Sequence, residues 1–354
     1  MAAEHQNLAL LKTDIEVCET PPAEWDRFVL EHPGGKIYHL AQWSRMIRRI
    51  FGHPAFYIVI RNGEGIEGVL PLTEFHSFLF GRFAVSLPFI NYGGALLSDP
   101  ALAAPLNRFL INLRAERKYD YIELRFDAPV ETALPTKSHK VTFFLDLPPD
   151  SETLFNSFKA KLRSQIRRPE KENMHARTGG AELLDDFYRV FALNMRELGT
   201  PVLPQRFFGE ILQTFPDDAF IVTVYTPEGL AVAASFLLRY KGIMEIPWAS
   251  SLREYNRYSP NMMLYWESLK LSIKKGCRMF DFGRCTPGSG TYQFKKQWNA
   301  REHPLSWAYV LPEGEKLPEL NPDNRKFSLA IKVWAKLPLG VTKTLGPRII
   351  RHIP

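Results

Sequence analysis

A carboxylate followed by a glycine and two cations can run proton chemistry on a phosphorylated substrate. The chain carries such a set in Asp281-Phe282-Gly283-Arg284, with Lys295 shortly after it. Asp281 closes a run of strand character, Arg278 to Phe282, where a carboxylate can face a cleft and the next glycine lets a ligand approach the backbone. That placement suits a general base, and it equally suits a turn-forming or arginine-paired carboxylate. The planar guanidinium of Arg284 and the ammonium of Lys295 are groups that grip a diphosphate, or else solvated loop charges. A second cluster is KAKLRSQIRRPEKEN, Lys159 to Asn173, where helical spacing stacks Arg163 and Arg167 on one side, beside Lys159, Lys161 and Arg168. Such a run is ordinarily a solvated face, and Pro169 should stop or kink it. A third is the polar loop PWASSLREYNRYSPN, whose Tyr255, Arg257 and Tyr258 have the composition of a site lining, whereas Tyr265 and Trp266 beyond it read as core. Glu245 and Glu267 are further carboxylates with weaker claims. His53, His139 and the other histidines show no metal-ligand spacing, so no metal is expected. Asp-Phe-Gly also occurs in protein kinases, but the chain has neither an HRD loop nor a glycine-rich loop ahead of a VAIK-type strand.

Two units of the same order must position these residues. In the first, Pro22 to Leu30 and Ala41 to Phe51 read as helices. Ala55 to Ile60 and Ile66 to Phe75 read as a hairpin about Asn62-Gly63. Arg82 to Pro88 and Asn91 to Leu97 follow as strands, and a helix from Pro100 to Glu116 feeds the strand Tyr119 to Arg125. Roughly 160 residues later the order recurs, a period suited to a duplicated domain rather than a solenoid. Phe187 to Leu198 and Arg206 to Phe215 are the helices, and Ala219 to Tyr225, Ala231 to Tyr240 and Ile243 to Ala249 the strands. Pro260 to Lys275 is a long helix and Arg278 to Phe282 the strand after it. NGEGIEGVLPL matches PEGLAVAASFLL, and RKYDYIELRF matches KGCRMFDFGR. Pro148-Pro149-Asp150 marks a boundary and PEGEKLPELNPDNR a linker, dividing the chain into residues 1–150, 151–312 and 313–354.

Length and composition, 354 residues with 45% apolar and 23% charged, describe a folded chain able to bury two cores. The net charge of +7 sits at one end: Asn324 to Pro354 carries seven basic residues and no acid, so the body is neutral and no DNA partner is expected. In that tail Phe327, Ala330, Ile331, Trp334 and Leu337 fall at helical spacing. They form either a helix packed on the body or one lying on an anionic membrane surface, limited by Pro338 and Pro347. Cys18, Cys277 and Cys285 are too few and too oddly spaced for a disulfide framework. With no secretory signal at the start, the expected place is the cytoplasm, or the inner face of the membrane.

Paired helices, a hairpin and meander, a long helix and another strand resemble the GNAT acyltransferase fold, and two such units resemble the FemAB family. The basic helix from Lys159, the string YSPNMMLYWESLKLSIKKGCRMFDFGR and the Phe-Lys segment GTYQFKKQWNA are similar to family features. The likeness is nearest to FemAB-like proteins with a BioF2-like acetyltransferase domain associated with exosortase (PEP-CTERM) and exopolysaccharide loci. It implies an α/β (α+β) fold of two tandem GNAT-like domains, with mixed, mainly antiparallel sheets flanked by helices. It further implies acyl or aminoacyl transfer to an amine of a peptidoglycan or exopolysaccharide precursor, soluble or lipid-linked, with acyl-CoA or aminoacyl-tRNA as co-substrate. On this reading Asp281 is catalytic in the second unit, and Arg284, Lys295, Arg163, Arg167, Arg257 and Tyr258 bind substrate or phosphate, with tRNA a partner that the basic helix could grip. One departure bears on the donor. Acetyl-CoA-binding GNAT domains hold the pyrophosphate on a glycine loop, and here that place reads SLREYNRYSPN, while NYGG, Asn91 to Gly94, is nearer in type. The competing reading from another class is a non-catalytic scaffold with a degenerate transferase fold at the membrane surface.

Overall fold

The computed structural model describes residues 14–63, 65–77, 80–130, 132–318 and 325–353, and leaves the side chains of 325–328, Phe327 of the tail among them, outside the description. The chain opens with β1 (Asp14–Cys18), α1 (Trp25–Glu31), α2 (Ala41–Phe51), β2 (Ala55–Asn62), β3 (Gly65–Ser77) and β4 (Gly81–Val85). There follow β5 (Leu96–Leu97), α3 (Ala103–Arg117), β6 (Tyr121–Phe126), β7 (Thr136–Lys137) and β8 (Val141–Asp146). Two helices, α4 (Ser151–Ser157) and α5 (Ala160–Lys171), lead to β9 (His175–Gly179), α6 (Leu184–Glu197) and α7 (Gln205–Thr214). Then come β10 (Ala219–Tyr225), β11 (Ala231–Tyr240), β12 (Ile243–Ser251), α8 (Pro260–Lys274) and β13 (Met279–Asp281). The chain ends with α9 (Gly290–Lys296), β14 (Arg301–Pro304), β15 (Ser306–Val310), α10 (Arg325–Trp334) and α11 (Leu339–Ile350).

The strands form two sheets of one topology. The first runs β1-β2-β3-β4-β6-β15-β7 with β5 on β3, and the second β9-β10-β11-β12-β13-β8-β14. In each, the pair flanking the long helix, β4 with β6 and β12 with β13, is parallel, and the other pairs are antiparallel. A parallel pair needs a crossover, which α3 and α8 supply.

The sheets do not respect the boundary expected at residue 150. Strand β8, within 1–150, pairs in the second sheet, and β15, within 151–312, pairs in the first. The reason is the length of the connections. Only Leu305 separates β14 from β15, too little chain for even a two-residue hairpin, so the backbone runs straight on into the other sheet. The two crossing segments are tied to each other by Leu305 N–H donating to Lys140 O at 3.0 Å.

Local sequence explains the elements near the cleft. Along α2, Trp43, Met46, Ile47 and Ile50 form one buried stripe, and Gly52 ends the helix in the left-handed region (φ 74°). Trp43 stacks with Phe215 and meets Phe207 edge-on, so helices of both units share one apolar core. The expected strand Asn91 to Leu97 is extended only at Leu96–Leu97. Upstream, Gly93 and Gly94 both donate to Arg125 O, at 3.0 and 2.7 Å, and a Cβ on Gly94 would lie 2.5 Å from the Phe126 ring. NYGG is thus a close-packed turn rather than a phosphate cradle. The segment Ser151 to Lys171, legible as one helix leading into the basic cluster, breaks at Phe158-Lys159 into α4 and α5, and Pro169 is accommodated within α5, whose helix ends two residues later at Lys171.

The tail folds back on the body. Helix α11 packs on α6, and Gly346 is so close to Val202 that a Cβ would lie 2.8 Å from its nitrogen. His53 Nε2 is 2.6 Å from Arg351 O, tying the tail to the first unit. Helix α10 leaves Leu329 and Val333 exposed. Among the described residues no helix is long and apolar enough to cross a membrane.

The exchanged strand yields a test. A fragment ending at residue 140 lacks the strand between β6 and β7, so its amide resonances should be poorly dispersed until a synthetic peptide spanning residues 304–312 is added. Native dispersion without the peptide would contradict the exchange.

Candidate active site between the two units

Register places a row of side chains across the second sheet. Leu238 pairs with Glu245, Glu245 with Asp281, and Asp281 with Phe144, so four adjacent strands present these residues on one face. Glu245 and Asp281 are the last partners of the parallel pair. Immediately after Glu245 the β11–β12 register slips between Phe236 and Leu238, a bulge over Ile246-Pro247, where the proline has no N–H to give the ladder. The bulge ends regular pairing beside the two carboxylates, a common device for aiming a side chain.

Both carboxylates are buried and are met largely by the first unit. Glu245 accepts from Tyr38 Oη and from Asn91 Nδ2, each at 2.8 Å. Asp281 accepts from Tyr92 Oη at 2.8 Å, from the Thr142 hydroxyl of β8, and from Gly283 N–H at 2.9 Å. Tyr38 lies in the 3-10 turn Ile37–His39, which His39 fixes. Its Nδ1 accepts from Lys36 N–H at 3.1 Å and its Nε2 lies 2.9 Å from Gly94 O. Burial lowers His39 to about 4, so the ring is neutral, and acceptance at Nδ1 puts the proton on Nε2, donating to Gly94 O. One neutral imidazole therefore ties the Tyr38 turn to the Asn91-Tyr92 loop.

A cavity of about 530 Å³ opens over the pair, lined by Lys36, Tyr38, Tyr92, Ile243 and Arg278, and by Lys241, whose ammonium donates to Val29 O at 3.0 Å and His32 O at 2.6 Å. Lys36 Nζ pairs with Asp127 at 2.8 Å. Burial and then the neighbouring Asp281 charge push Glu245 up to about 8. Burial raises Asp281 too, against the pull of Thr142, Tyr92 and the Gly283 amide. Both carboxyls are thus raised above their ordinary range, and the pair can accept or release a proton near neutral pH.

This geometry can be set beside known proteins. Residues 156–296 match the family model described as an acetyltransferase (GNAT) domain. The UDP-N-acetylmuramoylpentapeptide-lysine N(6)-alanyltransferase of Weissella viridescens is 22% identical over 147 residues, 41% of this chain. That match spans 44% of the enzyme's length. The crystal structure of FemX superposes with a TM-score of 0.62 at 16% identity, covering 84% of this chain and 97% of that one. L-PGS from Bacillus licheniformis gives 0.56 at 14%, covering 90% and 99%. The chain has the FemAB-like tandem GNAT fold.

Within that fold the expected site residues separate. Asp281 lies in the cleft. Lys295 does not face it: the side chain is buried, Nζ donates to Gly283 O at 2.6 Å and Arg284 O at 3.2 Å, and burial lowers it to about 8. An ammonium spent on two carbonyls holds the loop rather than a diphosphate. Arg284 lies outside the cleft lining, its guanidinium 5.1 Å from the Trp307 ring on exchanged β15, and burial beside Arg125 lowers it to about 10. Arg163 Nη1 donates to Asn156 O and Phe158 O, fastening the α4–α5 junction, and exposed Arg167 covers the Phe155 ring at 4.8 Å. Helix α5 packs on α8, so neither arginine reaches the carboxylates. Arg257 and Tyr258 pair at 4.6 Å in the 3-10 helix Arg253–Tyr258, beyond the far end of β12 and about 20 Å along the strand from Glu245. What sequence reasoning missed is the first unit's share, Lys36, Tyr38, Asn91 and Tyr92, together with Thr142 and the weight of Glu245. The polar Asn-Tyr ahead of Gly-Gly was the available signal.

The raised Glu245 has a consequence for stability. A carboxyl whose folded value exceeds its unfolded one near 4.5 contributes stability that is full below that pH and is lost as pH rises through about 8. Glu245→Gln removes this dependence. Its melting temperature relative to wild type should climb between those pH values, and a difference independent of pH would contradict the shift.

Proposed function

We propose that the chain is an N-acyltransferase that moves an acyl or aminoacyl group onto an amine of a cell-envelope precursor, of peptidoglycan or exopolysaccharide. The observation that carries this reading is the buried Glu245–Asp281 pair facing a cleft that both units build. Attack on a thioester or ester carbonyl needs a neutral amine, and a carboxylate pair titrating near neutral pH can take its proton. As the carbon–nitrogen bond forms, the bond to the leaving thiol or ribose hydroxyl breaks, and the proton held by the pair can return to that leaving group. Tyr38 and Tyr92, both pushed well above the ordinary tyrosine range by burial, stay protonated as donors. The cations Lys36 and Arg278 suit the phosphates of an activated or lipid-linked acceptor.

The alanyltransferase likeness supports a lysine amine as acceptor and aminoacyl-tRNA as donor; the acetyltransferase domain supports acyl-CoA. On the donor side, Arg257 and Tyr258 flank the N-terminus of α8, while exposed Arg167 offers charge to RNA. The glycine-free turn before α8 favours the charged tRNA. A cytoplasmic site of action, with α10 touching an anionic membrane surface through Leu329 and Val333, belongs to the same reading.

Transfer of labelled alanine from alanyl-tRNA, and of an acetyl group from acetyl-CoA, to UDP-linked and lipid-linked muramyl peptides tests it. Asp281→Asn should lower kcat by about 10²- to 10⁴-fold with KM little changed. RNase should abolish transfer if the donor is tRNA. Full activity in Asp281→Asn would sink the assignment.

A further inference from the structure

The turn joining β11 to β12 puts a lysine where the backbone disfavours one. Tyr240 pairs with Ile243, so Lys241 and Gly242 form a two-residue hairpin turn, with φ 48° and 75°. Positive φ at both places is the type I′ turn, which takes asparagine, aspartate or glycine at its first position. A lysine held there carries backbone strain, which persists where surrounding contacts over-determine it.

Those contacts lie in the other unit. Lys241 Nζ donates to Val29 O at 3.0 Å and to His32 O at 2.6 Å, carbonyls at the end of α1. The last turn of α1 has no basic residue of its own, so a cation from the second unit caps it. His32 O also accepts from Gly35 N–H at 3.0 Å, and its ring accepts from Gly34 N–H at 3.1 Å, with Nε2 2.9 Å from Leu97 O. The Gly34-Gly35 turn is tight: a Cβ on Gly35 would lie 2.1 Å from Val29 O. It delivers Lys36 to the cleft, whose lining includes Leu30, Gly35 and Lys241 as well as Glu245 and Asp281. The titratable groups facing Lys36 are Asp127, Glu245, Asp281, His39 and Lys241. Burial raises both carboxyls of the pair, and the positive charge of Lys36 opposes that rise.

Building on the reading of this cleft as the active site, we propose that Lys241 is a positioning residue, which through His32 and the Gly34-Gly35 turn holds the ammonium of Lys36 beside Glu245 and Asp281. Its own ammonium is spent on two carbonyls, so its influence on the pair passes through Lys36. The second unit thus sets the first unit's cation in place, as Tyr38, Asn91 and Tyr92 of the first unit set the second unit's carboxylates.

Nuclear magnetic resonance on the full chain tests this with Lys241→Asn. Asparagine ahead of Gly242 is a pair that this turn prefers, so the hairpin should keep its shape, while the shorter side chain no longer reaches α1. The exchanged strands and the core around Trp43 keep the units docked. Loss of the charge-assisted bonds should speed solvent exchange of the Gly35 and Lys36 amides roughly tenfold. Glu245, deprived of the nearby Lys36 charge, should titrate at higher pH than in wild type, read from its side-chain carboxyl carbon. Lys241→Arg, which keeps a donor of similar reach, should restore both. In a Lys36→Met background, Lys241→Asn should leave the Glu245 titration where it stands, because the two residues act in series. Unaltered exchange in Lys241→Asn, or an equal Glu245 shift with and without Lys36, overturns the proposal. Neither measurement needs turnover. Both changes in a protein that transfers nothing would refute only the transferase reading, and transfer with neither change would refute only this one.

Discussion

Two carboxylates held side by side out of water are the constraint on which the rest of this molecule depends. Neighbouring strands bring Glu245 and Asp281 into register, and burial makes each charge costly and their coexistence more so. Five donors answer that cost: Tyr38, Asn91, Tyr92, Thr142 and the Gly283 amide. Three of these come from the first unit and Thr142 from a strand that crosses between units. Separating the halves would strand the pair, so the exchange of β8 and β15 and the shared core around Trp43 serve the site as much as the fold. A half-satisfied buried network is worse than none, which makes the precise docking of the units a condition of having this pair at all.

The duplication explains why the two copies differ at the matching carboxylate. By register and by sequence, Asp281 corresponds to Glu123, the third partner of the first parallel pair. Two residues on, the first copy has Arg125 where the second has Gly283. Arg125 lies 2.7 Å from Glu123 and also donates to Leu87 O and Ile90 O, so that carboxylate is neutralised within its own strand. Gly283 offers no side chain, only an amide, and leaves Asp281 to be met from across the cleft. One substitution between the copies thus separates an ion pair closed within its strand from a carboxylate met from across the cleft. The first copy's Asn91-Tyr92 loop is instead aimed at the second copy's carboxylates.

Much of the fold was legible because its signals are local. The period of α2, the hairpin about Asn62-Gly63 and the runs Ala219 to Tyr225 and Ala231 to Tyr240 declare themselves within a few residues, and the recurrence of their order declares the duplication. The strand exchange was not legible, since Val141–Asp146 reads as a strand in either sheet and only the single residue between β14 and β15 forbids the local pairing. Asp281 could be found from its strand end and glycine. Its partners could not, because Tyr38, Asn91, Tyr92 and Glu245 become neighbours only through docking at sequence separations that no pattern spans. Glu245 in particular sits in a strand whose apolar neighbours give no sign that a second carboxylate stands opposite.

Asp-Phe-Gly-Arg with a later Phe-Lys therefore takes on a different meaning from the one its charges suggest. Gly283 has φ 72°, and a Cβ there would lie 2.6 Å from Ile246 O, so the position demands glycine for conformation and for space. Its amide donates to Asp281, its carbonyl accepts from Lys295, and Lys295 also takes the carbonyl of Arg284. The strand end is satisfied without calling on water, and Asp281 cannot swing away without breaking its own backbone contact. Phe282 and Phe294 pack about Tyr265 and complete the clamp from the apolar side. The motif is a holder for one carboxylate. Lys295 fixes the loop that aims the acid, and the cations of the cleft lie elsewhere, Lys36 in the first unit and Arg278 immediately before β13.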